Sequence, residues 1–176
     1  MRNMDIQLLG KDSLKIKSKK TTVAVDPRES VSKFDADAVL IIDKESDATR
    51  VNNSRITING AGEYEVAGLK ITGITTDGDL MYVLNSENVD TVVARASSFN
   101  KFSTDKIGEY KIAVINVDAE LNQSLVTAME PRLVVLYGDR AKEGARALGK
   151  ESASVSSKIS VAEEKLPEEM DVMLLG

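Results

Sequence analysis

The segment Asp37-Ala-Val-Leu-Ile-Ile-Asp-Lys-Glu-Ser-Asp-Ala-Thr49 decides how this chain is read. Ala38 to Ile42 form a short apolar run of the kind that fills a buried strand, and a polar turn follows at once with carboxylates at Asp43, Glu45 and Asp47. Charged side chains at the end of a buried strand are a common way to build a site. The chain contains no histidine and no cysteine, so the imidazole and thiolate ligands most used for zinc are absent.

Upstream of this segment, Ile6, Leu8 and Leu9 predict a strand closed by Gly10. Leu14 and Ile16 alternate with lysines, the period-two signature of a half-buried strand, and Lys11-Asp12-Ser13 predicts the hairpin turn between the two. Lys15, Lys17 and Lys19 read as the solvated face of an edge strand. Thr21 to Val25 is a third strand, and Asp26-Pro27 stops it because proline offers no donor to a ladder; Asp26-Pro27 is given only a turn role. Downstream, residues Asn52 to Asn85 read as all β, with breaks at Gly60-Ala-Gly62, Ala67-Gly68 and Asp77-Gly78. Val89 to Ala94 adds the next strand.

The last third changes character. Ser103 to Gly108 reads as a single capped helical turn, and Ile112 to Val117 and Leu133 to Tyr137 as buried strands. Asp118 is placed to cap a helix carrying Leu121, Leu125, Val126 and Met129 at helical spacing, ended by Pro131. A second helix is predicted over Ala141 to Leu148, with Gly149 just beyond it. Ser152 to Ser157 reads as a loop, and Lys158 to Val161 and Asp171 to Leu175 as closing strands. A β-rich front followed by strand–helix units predicts mixed α/β (α+β) layers. No linker interrupts the pattern, so residues 1–176 are read as a single domain.

Composition narrows the function classes. With 42% hydrophobic and only 4% aromatic residues, a core is available but must be aliphatic. A net charge of -5 and a pI near 4.9 argue against nucleic acid and membrane surfaces as partners. Absence of cysteine removes disulfides and thiolate nucleophiles. No apolar run is long enough to span a bilayer, and Met1 to Asp5 lacks a signal-peptide core, so the expected location is cytoplasmic. The sequence names no partner and leaves a homo-oligomer open.

Several stretches together resemble the metallo-β-lactamase superfamily, especially its small bacterial branch similar to ascorbate-6-phosphate lactonases. They are Leu9-Gly10 with Ser13, Val25-Asp26-Pro27, Asp37 to Ile42, Gly62 to Val66 with Gly68, Pro131 to Val135, and Leu166 to Glu169. The resemblance implies a pared-down metallo-β-lactamase-like αββα sandwich of two mixed β-sheets flanked by helices. It also implies where a metal centre belongs. The superfamily loop Thr-His-x-His-x-Asp-His falls on Ile42 to Ala48, so its histidines become Asp43, Glu45 and Ala48, and only Asp47 is retained. The histidine after the first strand becomes Lys11. The His-Leu-Gly-Asp strand end looks like Ala94 to Ser97, losing the histidine at Ala94 and the bridging aspartate at Ser97. The last histidine falls near Gly138, beside Asp139.

These replacements set the expectation: a degenerate, noncatalytic protein with no zinc, serving as a binding or structural module. The alternative is a hydrolase in which Asp43, Glu45 and Asp47, with Asp26 or Asp139, hold Mg²⁺, Mn²⁺ or Ca²⁺ through oxygen. Lys44 and Arg50 oppose it by neutralising the cluster. Ser97 and Ser98 lack a histidine base, and Tyr64 and Tyr137 read as packing residues. An open acidic pocket at the mouth would favour the hydrolase; filling by Lys11 or Arg95 would favour degeneration.

Overall fold

The computed structural model describes residues 3–176. Strands β1 (Asn3–Leu9), β2 (Ser13–Ser18) and β3 (Thr21–Val25) form an antiparallel meander. After them come β4 (Phe34–Asp35), β5 (Ala38–Leu40), β6 (Val51–Asn52) and β7 (Ile56–Ile58). A second meander follows: β8 (Gly62–Val66), β9 (Leu69–Thr76), β10 (Asp79–Ser86) and β11 (Val89–Arg95). The remainder runs through α1 (Ala96–Phe99), β12 (Ile112–Asn116), α2 (Gln123–Ala128), β13 (Leu133–Tyr137) and α3 (Ala141–Ala147). It closes with β14 (Ser154–Ser156), β15 (Lys158–Ala162) and β16 (Asp171–Leu175).

These strands make a six-stranded sheet ordered β15-β1-β2-β3-β5-β7 and an eight-stranded sheet ordered β14-β16-β13-β12-β11-β10-β9-β8. Both are mixed: β3, β5 and β7 pair in parallel in one, as do β11, β12, β13 and β16 in the other. The core lies between the sheets, where Ile6, Leu14, Ile16, Val25 and Leu40 meet Ile71, Tyr82, Leu84, Val114 and Val135. Each such side chain contributes roughly 1.5–3 kcal/mol through burial. Strands β12 and β13 are buried throughout because their other face packs on Phe99, Leu125, Val126 and Ala145 of the three helices. Continuous apolar runs are what two covered faces require.

The six-stranded sheet is covered differently. Its outer face carries a small apolar cluster of Ala24, Val39, Ala36 and Val51, roofed by Phe34, Ile41 and Ala48. The roof is the β4–β6 pair and a 3₁₀ turn over Ala48–Arg50, with no α-helix. The β1–β2 part of that face is open to solvent, which explains Lys15 and Lys17; Lys19 does not belong to that face, since it lies past β2 in the turn to β3 with a left-handed φ of 53° and pairs with Glu87. Strand β2 is an interior strand, and this corrects the edge reading: Lys17 is exposed because its face lacks a cover.

Two further expectations are corrected. Asp118 does not cap a helix; Asn122 does, its Oδ1 accepting from the Leu125 N–H at 3.3 Å. Ser152 to Ser157 is not all loop, since Ser154–Ser156 pairs with β16 as the edge strand of the larger sheet. Among the described residues, no helix is long and apolar enough to cross a membrane.

Candidate functional site

Five strand ends converge at one rim of the sandwich. From the smaller sheet come Asp26, just after β3, and Ile42 and Asp43, beyond β5. From the larger sheet come Arg95, Asn116 and Tyr137, the last residues of β11, β12 and β13. The carboxyl ends of parallel strands are where α/β sheets place their sites.

Asp26 is the pivot. It is fully buried and adopts a left-handed φ of 46°. Its Oδ1 accepts from the Ile42 N–H at 2.8 Å, the Asp43 N–H at 2.9 Å and the Ser46 hydroxyl at 2.9 Å. Ser13 braces the same turn by donating its hydroxyl to the Asp26 carbonyl at 2.8 Å and accepting the Arg28 N–H at 3.0 Å. Burial pushes the Asp26 carboxyl above the ordinary aspartate value despite those hydrogen bonds and the nearby Arg95 charge. The turn-only role assigned to Asp26-Pro27 is therefore too small. A charge with no solvent exposure must be held by partners, and Asp26 organises the loop that follows β5.

Arg95 fills the space between the loops. Its Nε donates to Asp118 Oδ2 at 3.1 Å, and its Nη1 lies 3.4 Å from Asp43 Oδ2 and 3.9 Å from Asp26 Oδ2. Arg28 reaches the same Asp43 oxygen with Nη2 at 2.6 Å. Partial burial raises the Asp43 carboxyl, but the Arg28 hydrogen bond, the Glu45 N–H and the two guanidinium charges outweigh it and hold it below the ordinary value. Burial alone would weaken Arg95's hold on its proton; Asp118, Asp43 and Asp26 more than reverse this. Asp118 also accepts from the Ser97 N–H at 2.9 Å and the Ser97 hydroxyl at 2.5 Å.

The other sequence-predicted positions scatter. Asp47 accepts from the Thr49 N–H at 3.0 Å and the Thr49 hydroxyl at 2.5 Å, capping the 3₁₀ turn. Glu45 is exposed and lines an open hollow of about 620 Å³ with Asp12, Arg28, Glu29 and Ser30. Ala48 belongs to the small outer cluster, Lys11 is exposed in the first hairpin turn, and Asp139 is exposed. Ala94 packs into the helix layer, so the side chain that enters the mouth from β11 is its neighbour Arg95. Gly138 has a φ of 92°, and a Cβ there would collide with the Asn116 amide oxygen. Tyr64 donates to the Ala61 carbonyl at 3.1 Å. Tyr82, which the sequence did not single out, lends its hydroxyl to the carbonyls of Ile41 and Ile58 at 3.0 and 2.9 Å and ties the sheets together. Tyr137 is fully buried, and burial with the Asp26 charge raises its hydroxyl pKa far above the ordinary value.

A protein from Thermotoga maritima, assigned as a Zn-dependent hydrolase of the metallo-β-lactamase superfamily, superposes with a TM-score of 0.76 at 16% identity, over 98% of each chain. This chain has the metallo-β-lactamase fold. Two other proteins with similar structures are the metallo hydrolase Igni18 of Ignicoccus hospitalis and the metallo-β-lactamase fold protein YhfI of Bacillus subtilis. Igni18 gives a TM-score of 0.60 at 11% identity over 91% of this chain and 99% of its own. YhfI gives 0.58 at 8% identity over 99% and 96%. No protein-family model matches the sequence, and no curated protein matches it. Within the metallo-β-lactamase fold, the rim of converging strand ends here carries three aspartates and two arginines. Among the described residues, no group of three or more His, Cys, Asp or Glu side chains is placed to hold a metal ion.

Proposed function

We propose that this metallo-β-lactamase-fold chain is noncatalytic, a binding or structural module from which the zinc site has been lost. The observation that carries the reading is the Arg95 guanidinium, within 3.1–3.9 Å of Asp118, Asp43 and Asp26, with Arg28 on Asp43 as well. The donor chemistry does not fit zinc. Zinc takes about four ligands, and in catalytic sites these commonly include histidine; this chain has none. A guanidinium keeps its charge at all physiological pH values, so it repels a second cation from the same carboxylates.

The carboxylate-metal alternative asks Asp43, Glu45 and Asp47 to converge. Asp43 is engaged by two arginines, Glu45 faces solvent, and Asp47 is committed to Thr49. The test is direct. Metal analysis of the purified native protein, joined to melting curves in Zn²⁺, Mn²⁺, Mg²⁺ and Ca²⁺, is expected to give no stoichiometric metal and no shift. A shift that vanishes in Asp43→Asn or Asp47→Asn would overturn the noncatalytic reading.

A further inference from the structure

We propose that the end of the sandwich opposite the Asp26 rim holds a binding site for a small organic cation, an ammonium group carried on an apolar body. The site lies away from the strand ends on which the noncatalytic reading rests, and it goes beyond that reading by giving the chain a class of ligand.

Strand β11 runs from Val89 to Arg95 and β12 from Ile112 to Asn116, so Val89 and Ile112 stand at the far end from the rim. The smaller sheet reaches the same end through β1, β2 and β15, where Met4 pairs in register with both Ser18 and Val161. Between the two sheets these ends enclose a cavity of about 420 Å³. Small-molecule sites are clefts of roughly 300–1,000 Å³ with an apolar lining and a few placed polar groups.

The floor is apolar: Met4, Val89, Ile112 and Val161 line it, and all four belong to the core between the sheets. Met4 is held from the opposite sheet by the Thr91 hydroxyl, 3.7 Å from its sulfur. A thioether adapts to an inserted body and makes favourable contacts with aromatic rings. The wall is polar and comes from both sheets. The Ser18 and Ser86 hydroxyls are 2.6 Å apart, and whichever of them donates, both keep lone pairs. An ammonium group is all donor, so acceptors of this kind suit it.

Charge sets the sign of the ligand. The lining carries the carboxylates of Glu87, Glu163 and Glu164 against one ammonium, that of Lys19. Lys19 pairs with Glu87, and Lys111 reaches Glu163 at 3.1 Å, so Glu164 is the carboxylate left over. The chain's net charge of -5 adds to the attraction for a cation. Among the described residues the carboxylates are not gathered as a metal ion requires, which favours an organic cation with its apolar part on the floor and its charge at the wall.

The experiment titrates the ¹⁵N-labelled protein with 2-phenylethylamine, 2-phenylethanol and 3-phenylpropionate, which share an aromatic body and differ in charge, and follows the amide shifts. The amine is expected to bind saturably and to move the amides of Ser18, Ser86, Asn88 and Val89, with the alcohol weaker and the carboxylate inert. Glu164→Gln should weaken the amine about two- to fivefold, and that difference should shrink as salt rises. Ser86→Leu, which fills the mouth and removes a hydroxyl, should abolish binding. An alcohol or carboxylate bound as tightly as the amine, shifts centred on the Asp26 rim, or no saturable shift would overturn the proposal. Should Ser86→Leu fail to fold, the wild-type shifts with the three probes decide by themselves. None of these outcomes bears on the metal titrations that test the noncatalytic reading, so the two fail separately.

Discussion

Asp26 gathers into one side chain what the rim needs. Its Oδ1 satisfies two backbone N–H groups and a serine hydroxyl, and its Oδ2 faces Arg95. The two oxygens have separable roles, and two substitutions separate them. Asp26→Asn keeps an acceptor oxygen for Ile42 and Asp43, and asparagine tolerates the left-handed backbone that this position adopts. Asp26→Ala strands both N–H groups in a buried turn and leaves Arg95 with one carboxylate fewer. A buried group left unsatisfied costs about 1–3 kcal/mol. In urea titrations Asp26→Ala should lose about 3 kcal/mol or more, while Asp26→Asn stays within about 1 kcal/mol of wild type. Equal losses would mean that the charge, not the hydrogen-bond geometry, dominates.

Among the elements, the passage from β7 to β8 is where the chain first leaves one large sheet for the other. It does so across the inner face of β9, and a Cβ at Gly73 would strike the Gly60 carbonyl oxygen. A glycine inside a strand marks such a close backbone approach. Gly60 has open space around its own Cβ position. Gly73→Ala should therefore lose about 1–3 kcal/mol of stability in urea, whereas Gly60→Ala should stay within about 0.5 kcal/mol of wild type. The breaks at Gly60-Ala-Gly62 and Asp77-Gly78 were legible because turn chemistry is local, and the buried strands β12 and β13 because continuous apolar runs are. Other features depend on partners distant in sequence. Asp118 looks like a helix cap until Arg95, on another strand end, claims it. Strand β14 is only Ser-Val-Ser, and among the described residues it is β16 that it pairs with. The lysine face of β2 is the same on an edge strand or on an interior strand with a bare face.

At the scale of the molecule, the location of the rim could be read from Asp37 to Asp47, but its contents could not. Arg95 was visible as a candidate to fill the mouth; its three carboxylate partners come from loops 23 to 69 residues away and are joined only by folding. The same assembly governs how stability depends on pH. The chain has no histidine, so no side chain ordinarily changes charge between about pH 5 and 8. Asp43 is held below the ordinary carboxylate value in the folded state. Its contribution to stability is present above the unfolded pKa and is lost as pH falls through the lowered one. Asp26 runs the other way. Burial raises it, so the folded state holds that proton more tightly than the unfolded chain, and stability falls as pH rises from the ordinary carboxylate pKa through the raised one. The two slopes have opposite signs and overlap little, because one window lies below the ordinary carboxylate value and the other above it. Urea midpoints followed from about pH 3 to about pH 8 should therefore rise out of the acid limb and then decline before levelling. Asp43→Asn should reduce the rise, which Asp5 and Asp47 share because they too are held below the ordinary value, and Asp26→Asn should remove the decline while leaving the rise in place. A decline that persists unchanged in Asp26→Asn would mean that another group, not Asp26, produces it.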